Sequence, residues 1–305
     1  MTARKAAGRR SRLFVLAPPF LWLALFFLIP FAIVLKISLS EPATAQPPYR
    51  PHMPWSLDPQ SWRAFVDALG LENYRTLLAD DLYWGAALSS LGLAAASTIV
   101  LGVFGYPIAL AMTRAPARWR PILVALVVVP FWTSLLIRVY AWMAILSPEG
   151  FLNRALLALG VIAEPLQILN TNAAVLIGIV YAYLPFMILP LYASLERQDE
   201  TLVEAASDLG ASRLKTFWTV TFPLSKSGIV AGALLCFIPI VGEFIVPDLL
   251  GGSETLMLGR TLWSEFFSNR DWPLASAVAV VMTVLLVGPI VLYRNAEARR
   301  LEAGA

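Results

Sequence analysis

The sequence predicts an all-α integral membrane protein with six transmembrane helices, and three observations carry that prediction. Of 305 residues, 58% are hydrophobic and only 14% are charged, against about 25% charged in soluble globular chains. The mean hydropathy is +0.70. So few charges cannot clothe a water-soluble surface, which leaves lipid as the solvent for most of it. The apolar residues also gather into runs of the length a bilayer demands: about 30 Å of hydrocarbon takes about 20 helical residues, with each backbone amide bonded inside its own segment. Finally, Lys and Arg crowd into alternate loops, the pattern that orients a membrane chain.

Residues 1–12 form a basic tail with Arg4, Lys5, Arg9, Arg10 and Arg12. The uncharged run 13–35 is the first span. A basic start before an apolar run also suits a cleaved signal, and Ala43-Thr44-Ala45 has the small-x-small form of a cleavage site. The run is longer than a signal core of about 7–15 residues, and Lys36 to Glu41 separates it from that site, so it is expected to stay as a span. Residues 36–81 make an external loop. Its Pro-rich part, 42–59, is expected to be extended and irregular. Over 61–78 apolar residues recur at helical intervals (Trp62, Phe65, Val66, Leu69, then Tyr74, Leu77, Leu78) around Gly70, which predicts two short surface helices. They would either cap the outer end of the bundle or form a ledge for an external partner.

Five more spans occupy 82–293. Runs 82–113 and 171–195 are free of charge, 121–147 contains Arg138, 228–246 contains Glu243, and 273–293 is uncharged but short. Between the spans, Arg114, Arg118 and Arg120, then Arg197, Arg213, Lys215 and Lys226, then Arg294, Arg299 and Arg300 join the amino-terminal cluster on one side. That side is the cytoplasm by the positive-inside rule, so both tails, 1–12 and 294–305, and the loop 196–227 are expected there. Pro130, Pro185, Pro190 and Pro239 sit inside spans and permit kinks.

The composition also excludes chemistries. With Cys236 and His52 as the single residues of their kinds, there is no intrachain disulfide, no thiolate or imidazole metal cluster and no bis-His haem. Lys5, Lys36, Lys215 and Lys226 follow Arg4, Leu35, Leu214 and Ser225, so no Gly-Lys pair exists to build a phosphate loop. No catalytic residues, cofactor or metal are expected in this chain.

The loop 196–227 is the most informative segment. Leu202, Val203, Ala206 and Leu209 make an apolar stripe on a short helix that Gly210 would close in the left-handed region. Ser212 would cap a second helix carrying Leu214, Phe217 and Trp218, with Pro223 ending it. On physics alone this helix-turn-helix reads equally as an interfacial re-entrant or as a handle for another protein. Its pattern is Glu204-Ala205-Ala206, three residues, Gly210, nine residues, then Val220, Phe222 and Pro223. In this it resembles the Glu-Ala-Ala loop of the permease subunits of ATP-binding-cassette importers, with Val220 and Phe222 where Ile and Leu are more usual.

Further stretches are similar to the spermidine/putrescine branch of that family: Glu72-Asn73-Tyr74-Arg75, Val129-Pro130-Phe131-Trp132-Thr133-Ser134-Leu135-Leu136-Ile137-Arg138-Val139-Tyr140-Ala141-Trp142, Gly242-Glu243-Phe244-Ile245-Val246-Pro247-Asp248-Leu249-Leu250-Gly251-Gly252, and Asn269-Arg270-Asp271-Trp272-Pro273. The resemblance implies a type I importer fold, with a permease core at 82–293 whose coupling helix pair seats in an ATPase. Glu204, Ala205, Ala206, Leu209, Gly210 and Pro223 would be its coupling residues. It implies an ATPase dimer that binds the ATP, a second permease subunit, an external solute-binding protein and a polyamine cargo, in a bacterial inner membrane and with no nucleic-acid partner.

Two charges lie in spans, where each costs about 2.5–3.5 kcal/mol on insertion scales unless paired or wet. Counted from the inner ends of their runs, Arg138 and Glu243 are level within about one helical turn. They either form an ion pair locking the third span to the fifth, or Glu243 and Asp248 offer carboxylates to a cationic amine beside the rings of Trp132, Tyr140 and Trp142. Under the second reading Arg138 bars the site at rest or repels the cation. Other solutes, such as an amino acid or opine, fit the same machine. An ion-coupled secondary transporter is the rival class; the lack of an inverted repeat weighs against it.

Overall fold

The computed structural model describes residues 16–55, 58–253 and 255–303, with side chains through Gly288 and at Val291. The expected basic tail at 1–12 and the side chains of 294–305 lie outside the described residues. The chain divides into two units.

The first unit comprises the described residues up to Tyr83 and those from Leu262 onward. Its Leu16–Ser38 helix is apolar all round, with Trp22, Phe26 and Phe27 facing outward. It widens into a π turn at Ala24–Leu28, ahead of Pro30, which has no N–H to bond. Its C-terminal part packs against the Trp272–Ala303 helix. The Pro-rich stretch is less irregular than expected, for Glu41–Pro42 and Tyr49–Arg50 pair as a small antiparallel ribbon.

The two short helices are Pro59–Asp67 and Glu72–Ala79. The first starts earlier than its apolar pattern because Asp58 caps it, accepting from the N–H groups of Gln60 and Ser61. Buried Asn73 donates to the carbonyls of Ser38 and Ser40 at 2.8 Å each, while the Tyr74 hydroxyl meets Ser38 Oγ at 2.7 Å. The Asn73 bonds use carbonyls left open at, and just beyond, the end of the Leu16–Ser38 helix.

The second unit, Trp84–Thr261, contains most of the 34-residue Asp81–Arg114 helix, about 50 Å long at 1.5 Å per residue and so longer than the hydrocarbon is thick. The predicted 121–147 span is not one helix. Arg120–Val128 tightens to a 3-10 turn at Val129–Trp132, Thr133 and Ser134 are extended, and Leu135–Leu146 starts afresh. Pro130 explains the break, having no N–H with which to continue the α-helical ladder. The 228–246 run also breaks: Lys226–Val241 ends, Gly242–Phe244 turn, and Ile245–Leu250 follows. Glu243 therefore sits at a helix break.

Four helices among the described residues are long and apolar enough to cross a bilayer: Leu16–Ser38, Asp81–Arg114, Leu135–Ala158 and Asn172–Glu196. A fifth crossing exists if Arg213–Leu224 and Lys226–Val241, bent by 63°, count as one. Arg120–Trp132 and Trp272–Gly288 are shorter apolar helices. This count falls below the six runs read from the sequence.

At the centre of this unit Asn172–Glu196 packs on Lys226–Val241. Lipid gives no hydrophobic drive to such a pair, so close backbone approach must hold it. Gly228 and Gly232 provide the approach: a Cβ at Gly228 would stand 2.5 Å from Ser194 Cβ and 2.9 Å from the Pro190 carbonyl, and one at Gly232 would stand 2.8 Å from Met187 Sδ. Ile179, Met187, Leu191, Cys236 and Ile240 are buried around the seam.

Candidate functional site

Two places gather the candidate residues. The first is the helix pair of the 196–227 loop. Asp199 accepts the Thr201 N–H at 3.0 Å and caps the Glu200–Asp208 helix. That backbone bond holds its carboxyl below the usual carboxylate range. The helix ends in a closed turn: Gly210 takes φ +80°, its N–H donates to the Ser207 carbonyl, and the Ala211 N–H donates to the Ala206 carbonyl at 3.0 Å. This is the double bond of a Schellman closure, and the left-handed residue at its corner favours glycine. Ser212 then caps Arg213–Thr216 as expected, accepting from the Lys215 N–H.

Pro223 does not end the second helix. A π turn at Phe217–Thr221 precedes it, helical geometry continues through Leu224, and the chain turns at Ser225. The wider turn removes the demand for an N–H at the proline. The pair is rooted by an aromatic cluster, with Tyr106 5.5 Å from Phe217 and 5.9 Å from Phe222, and Trp218 5.1 Å from Phe222. The Tyr106 hydroxyl also meets Ser225 Oγ at 2.9 Å, and Gln198 donates to the Thr221 carbonyl. Its other face is open: Leu202, Leu209, Leu214 and Trp218 are exposed, Leu209 to 90%. Glu204 and Ala205 lie on the same exposed helix.

The second place surrounds the Gly242–Phe244 break. Buried Glu243 accepts the Tyr183 hydroxyl at 2.6 Å and the Ile245 N–H at 3.1 Å. The ion pair with Arg138, one of the two readings the sequence left open, is not formed: the structure has no ion pair within 4 Å between them. The physical reason is local, since the helix break folds the Ile245 N–H back onto the carboxylate and Tyr183 supplies a second donor. Asp248 is exposed and faces Arg260 at 3.4 Å instead. Arg260 also donates to the Gly252 carbonyl, tying the 248–260 segment together.

Arg138 has its guanidinium 5.9 Å from the Phe131 ring, and its Nε and Nη1 are buried without a hydrogen-bond partner. Phe131 meets Phe186 at 4.9 Å, and Phe186 meets Tyr183 at 5.9 Å, so an aromatic row runs from Arg138 toward Glu243. Trp142 packs edge-on to Tyr181, whereas Trp132 and Tyr140 point outward. The structure thus gathers Glu243 with Tyr183, Phe186 and Phe131, and leaves Asp248, Trp132 and Tyr140 outside that group. Sequence reasoning passed over Tyr183 and Phe186. Their signal was a hydroxyl beside Pro185 in an otherwise inert span, legible only once Glu243 has a position.

A family model described as a binding-protein-dependent transport system inner membrane component matches residues 105–301. The chain is 41% identical over 278 residues to the spermidine/putrescine transport system permease protein PotB of Haemophilus influenzae, covering 91% of each. It is 44% identical over 227 residues to PotB of Escherichia coli, covering 74% of this chain and 82% of that one. Among solved structures, a bacterial ABC transporter involved in import of alginate has a chain of the same fold, with a TM-score of 0.67 at 19% identity, covering 98% of this chain and 99% of that one. A chain of the MetNI methionine ABC transporter, at a TM-score of 0.50 and 18% identity, covers 72% of this chain and 94% of its own. By the family match and by two relatives above 40% identity across most of its length, the chain belongs to the inner membrane components of binding-protein-dependent transport systems.

Proposed function

We propose that this chain is a transmembrane permease subunit of an ATP-binding-cassette importer for spermidine and putrescine. It forms half of the translocation pathway and hydrolyses nothing itself. A second permease completes the path, an ATPase dimer binds and cleaves ATP, and an external binding protein delivers the solute. The chain crosses the membrane six times with both termini in the cytoplasm: Arg120–Trp132 and Leu135–Ala158 share the third crossing, and the bent pair and Trp272–Gly288 supply the fifth and sixth beside the other three long helices.

The observation that carries this reading is the exposed apolar face of the Glu200–Asp208 and Arg213–Leu224 pair, on the Glu-Ala-Ala pattern, in a chain over 40% identical to spermidine/putrescine permeases. Rooted in the Tyr106 cluster at one end and free at the other, the pair is built to transmit a push. An ATPase that closes around Leu209 and Leu214 would move the attached Asn172–Glu196 and Lys226–Val241 helices as one, through the seam at Gly228 and Gly232. Glu204, Ala205, Ala206, Leu209, Gly210 and Pro223 are the coupling residues. In the pathway, Glu243 is the carboxylate that meets the amine, with the Tyr183, Phe186 and Phe131 rings beside it. Its freedom from Arg138 supports that role over a structural lock.

The test is uptake of labelled putrescine and spermidine by the reconstituted four-component complex. Gly210→Val should leave assembly and basal ATPase activity intact while cutting uptake per ATP about tenfold or more, because a Cβ at Gly210 meets nothing within 4 Å and strains only the corner's backbone. Uptake by the chain alone, driven by an ion gradient, would overturn the proposal.

A further inference from the structure

The uncharged run 82–113 ends one residue short of Arg114, which closes the Asp81–Arg114 helix. An arginine at that position lays its alkyl stem along the apolar end of a span and holds its guanidinium among lipid headgroups. Arg213 begins the second helix of the 196–227 pair, directly after its capping residue Ser212. The fold of the second unit brings these two cations, distant in the chain, onto the walls of one cleft of about 700 Å³.

Ser207 and Thr216 add hydroxyls to those walls, Leu110 and Leu214 add apolar sides, and among the described residues no carboxylate lines the cleft. Thr216 is 4% exposed, and its Oγ1 is shielded with no hydrogen-bond partner among the described residues. A helical threonine commonly turns its hydroxyl back to a carbonyl of the preceding turn, so an orphan hydroxyl on the wall of a cleft marks a missing partner. Neither Arg114 nor Arg213 is in an ion pair among the described residues. Arg114 also borders a neighbouring cavity lined by Glu196, Asp199, Glu200 and Glu204, yet it pairs with none of them within 4 Å.

Two guanidinium groups from different elements, with hydroxyl donors between them, suit a phosphate group. The depth of the cleft decides the source of that group. Basic pockets between spans on the cytoplasmic side take lipid headgroups, and Leu110, inside the uncharged run, offers apolar surface for an acyl chain to follow. Leu209, the most open residue of the face proposed for the ATPase, is not among the walls. We propose that the cleft binds the phosphate of an anionic phospholipid of the inner leaflet, held between Arg114 and Arg213, with the Thr216 hydroxyl as a further donor. The choice of leaflet rests on the proposed orientation, whereas the binding does not. A lipid held there staples the end of the second span to the helix pair of the 196–227 loop.

The test is native mass spectrometry of the complete importer released from phosphatidylcholine vesicles made with or without phosphatidylglycerol. The wild type should retain phosphatidylglycerol in preference to phosphatidylcholine, and Arg114→Gln combined with Arg213→Gln should weaken that retention about tenfold or more, through loss of two charge-assisted contacts. A photoreactive residue at exposed Ser207, in a chain with both arginines intact, should cross-link to phosphatidylglycerol. Equal retention by the double variant would overturn the proposal, as would cross-links from Ser207 to the ATPase in place of lipid. Displacement of the lipid by millimolar inorganic phosphate would also overturn it, by assigning the cleft to a soluble anion. An importer that holds the lipid here yet moves no polyamine overturns the proposed function alone.

Discussion

At the scale of single residues, Glu243 is the side chain whose surroundings matter most. A buried carboxylate is tolerable when donors surround it, and Tyr183 and the Ile245 N–H are the donors here. Tyr183→Phe removes one hydrogen bond to a charged group, worth about 1.5–3 kcal/mol, and should lower the thermal midpoint of the detergent-solubilised chain without changing its helix content by circular dichroism. Glu243→Gln removes the charge and keeps one acceptor oxygen, for either Tyr183 or the Ile245 N–H, which bond different carboxylate oxygens in the wild type. Assembly of the complex should then be normal while uptake of labelled putrescine falls, and loss of assembled complex would instead restore the structural-lock reading. Arg138 and Glu243 were visible in the sequence as charges in apolar runs, because a charge there needs a reason. Their separation was not visible, since depth counted along a straight helix fails at the Gly242 break.

At the scale of elements, two devices hold the central helices and the 196–227 helix pair together. The first is the glycine seam between Asn172–Glu196 and Lys226–Val241. Gly228→Ala puts a methyl 2.9 Å from a backbone carbonyl, that of Pro190, and 2.5 Å from Ser194 Cβ. Neither neighbour can swing away as a flexible side-chain end would, so the helices must part, at about 1–3 kcal/mol. Thermal unfolding of the variant measures it. The second device is the Asp199 cap. Its folded pKa is depressed, so the stabilisation is present above the unfolded value near about 4 and is lost as pH falls through the lower folded value. Amide exchange across 200–208 at neutral pH should speed up in Asp199→Ala and stay slow in Asp199→Asn, which can still accept the Thr201 N–H. The helix pair itself was legible beforehand, because capping residues, an apolar stripe and a left-handed glycine are local signals. The run past Pro223 was not, since a π turn depends on how Phe217 and Phe222 pack on Tyr106.

At the scale of the whole molecule, sidedness is the property to measure. Cys236 is fully buried, so it gives a quiet background for labelling. A cysteine introduced at exposed Ser207 should react with a membrane-impermeant maleimide in inside-out vesicles and be protected in right-side-out ones. A cysteine at exposed Glu72 should behave in the opposite way. Reaction of both from the same side would overturn the six-span arrangement. Family membership needed no coordinates, for it follows from patterns along the chain and from identity to relatives.

The sequence alone was enough for everything that depends on composition, period and short spacing: lipid as solvent, apolar runs, alternate basic loops, and a capped helix pair with a glycine corner. Those features answer to the solvent and to bonds a few residues long. Folding in space was needed to break the third and fifth runs, to turn Glu243 toward Tyr183 and away from Arg138, and to leave Leu209 in the open. Each of those outcomes depends on which distant backbone comes close enough to offer a donor or exclude a methyl, and residue order records no such distance.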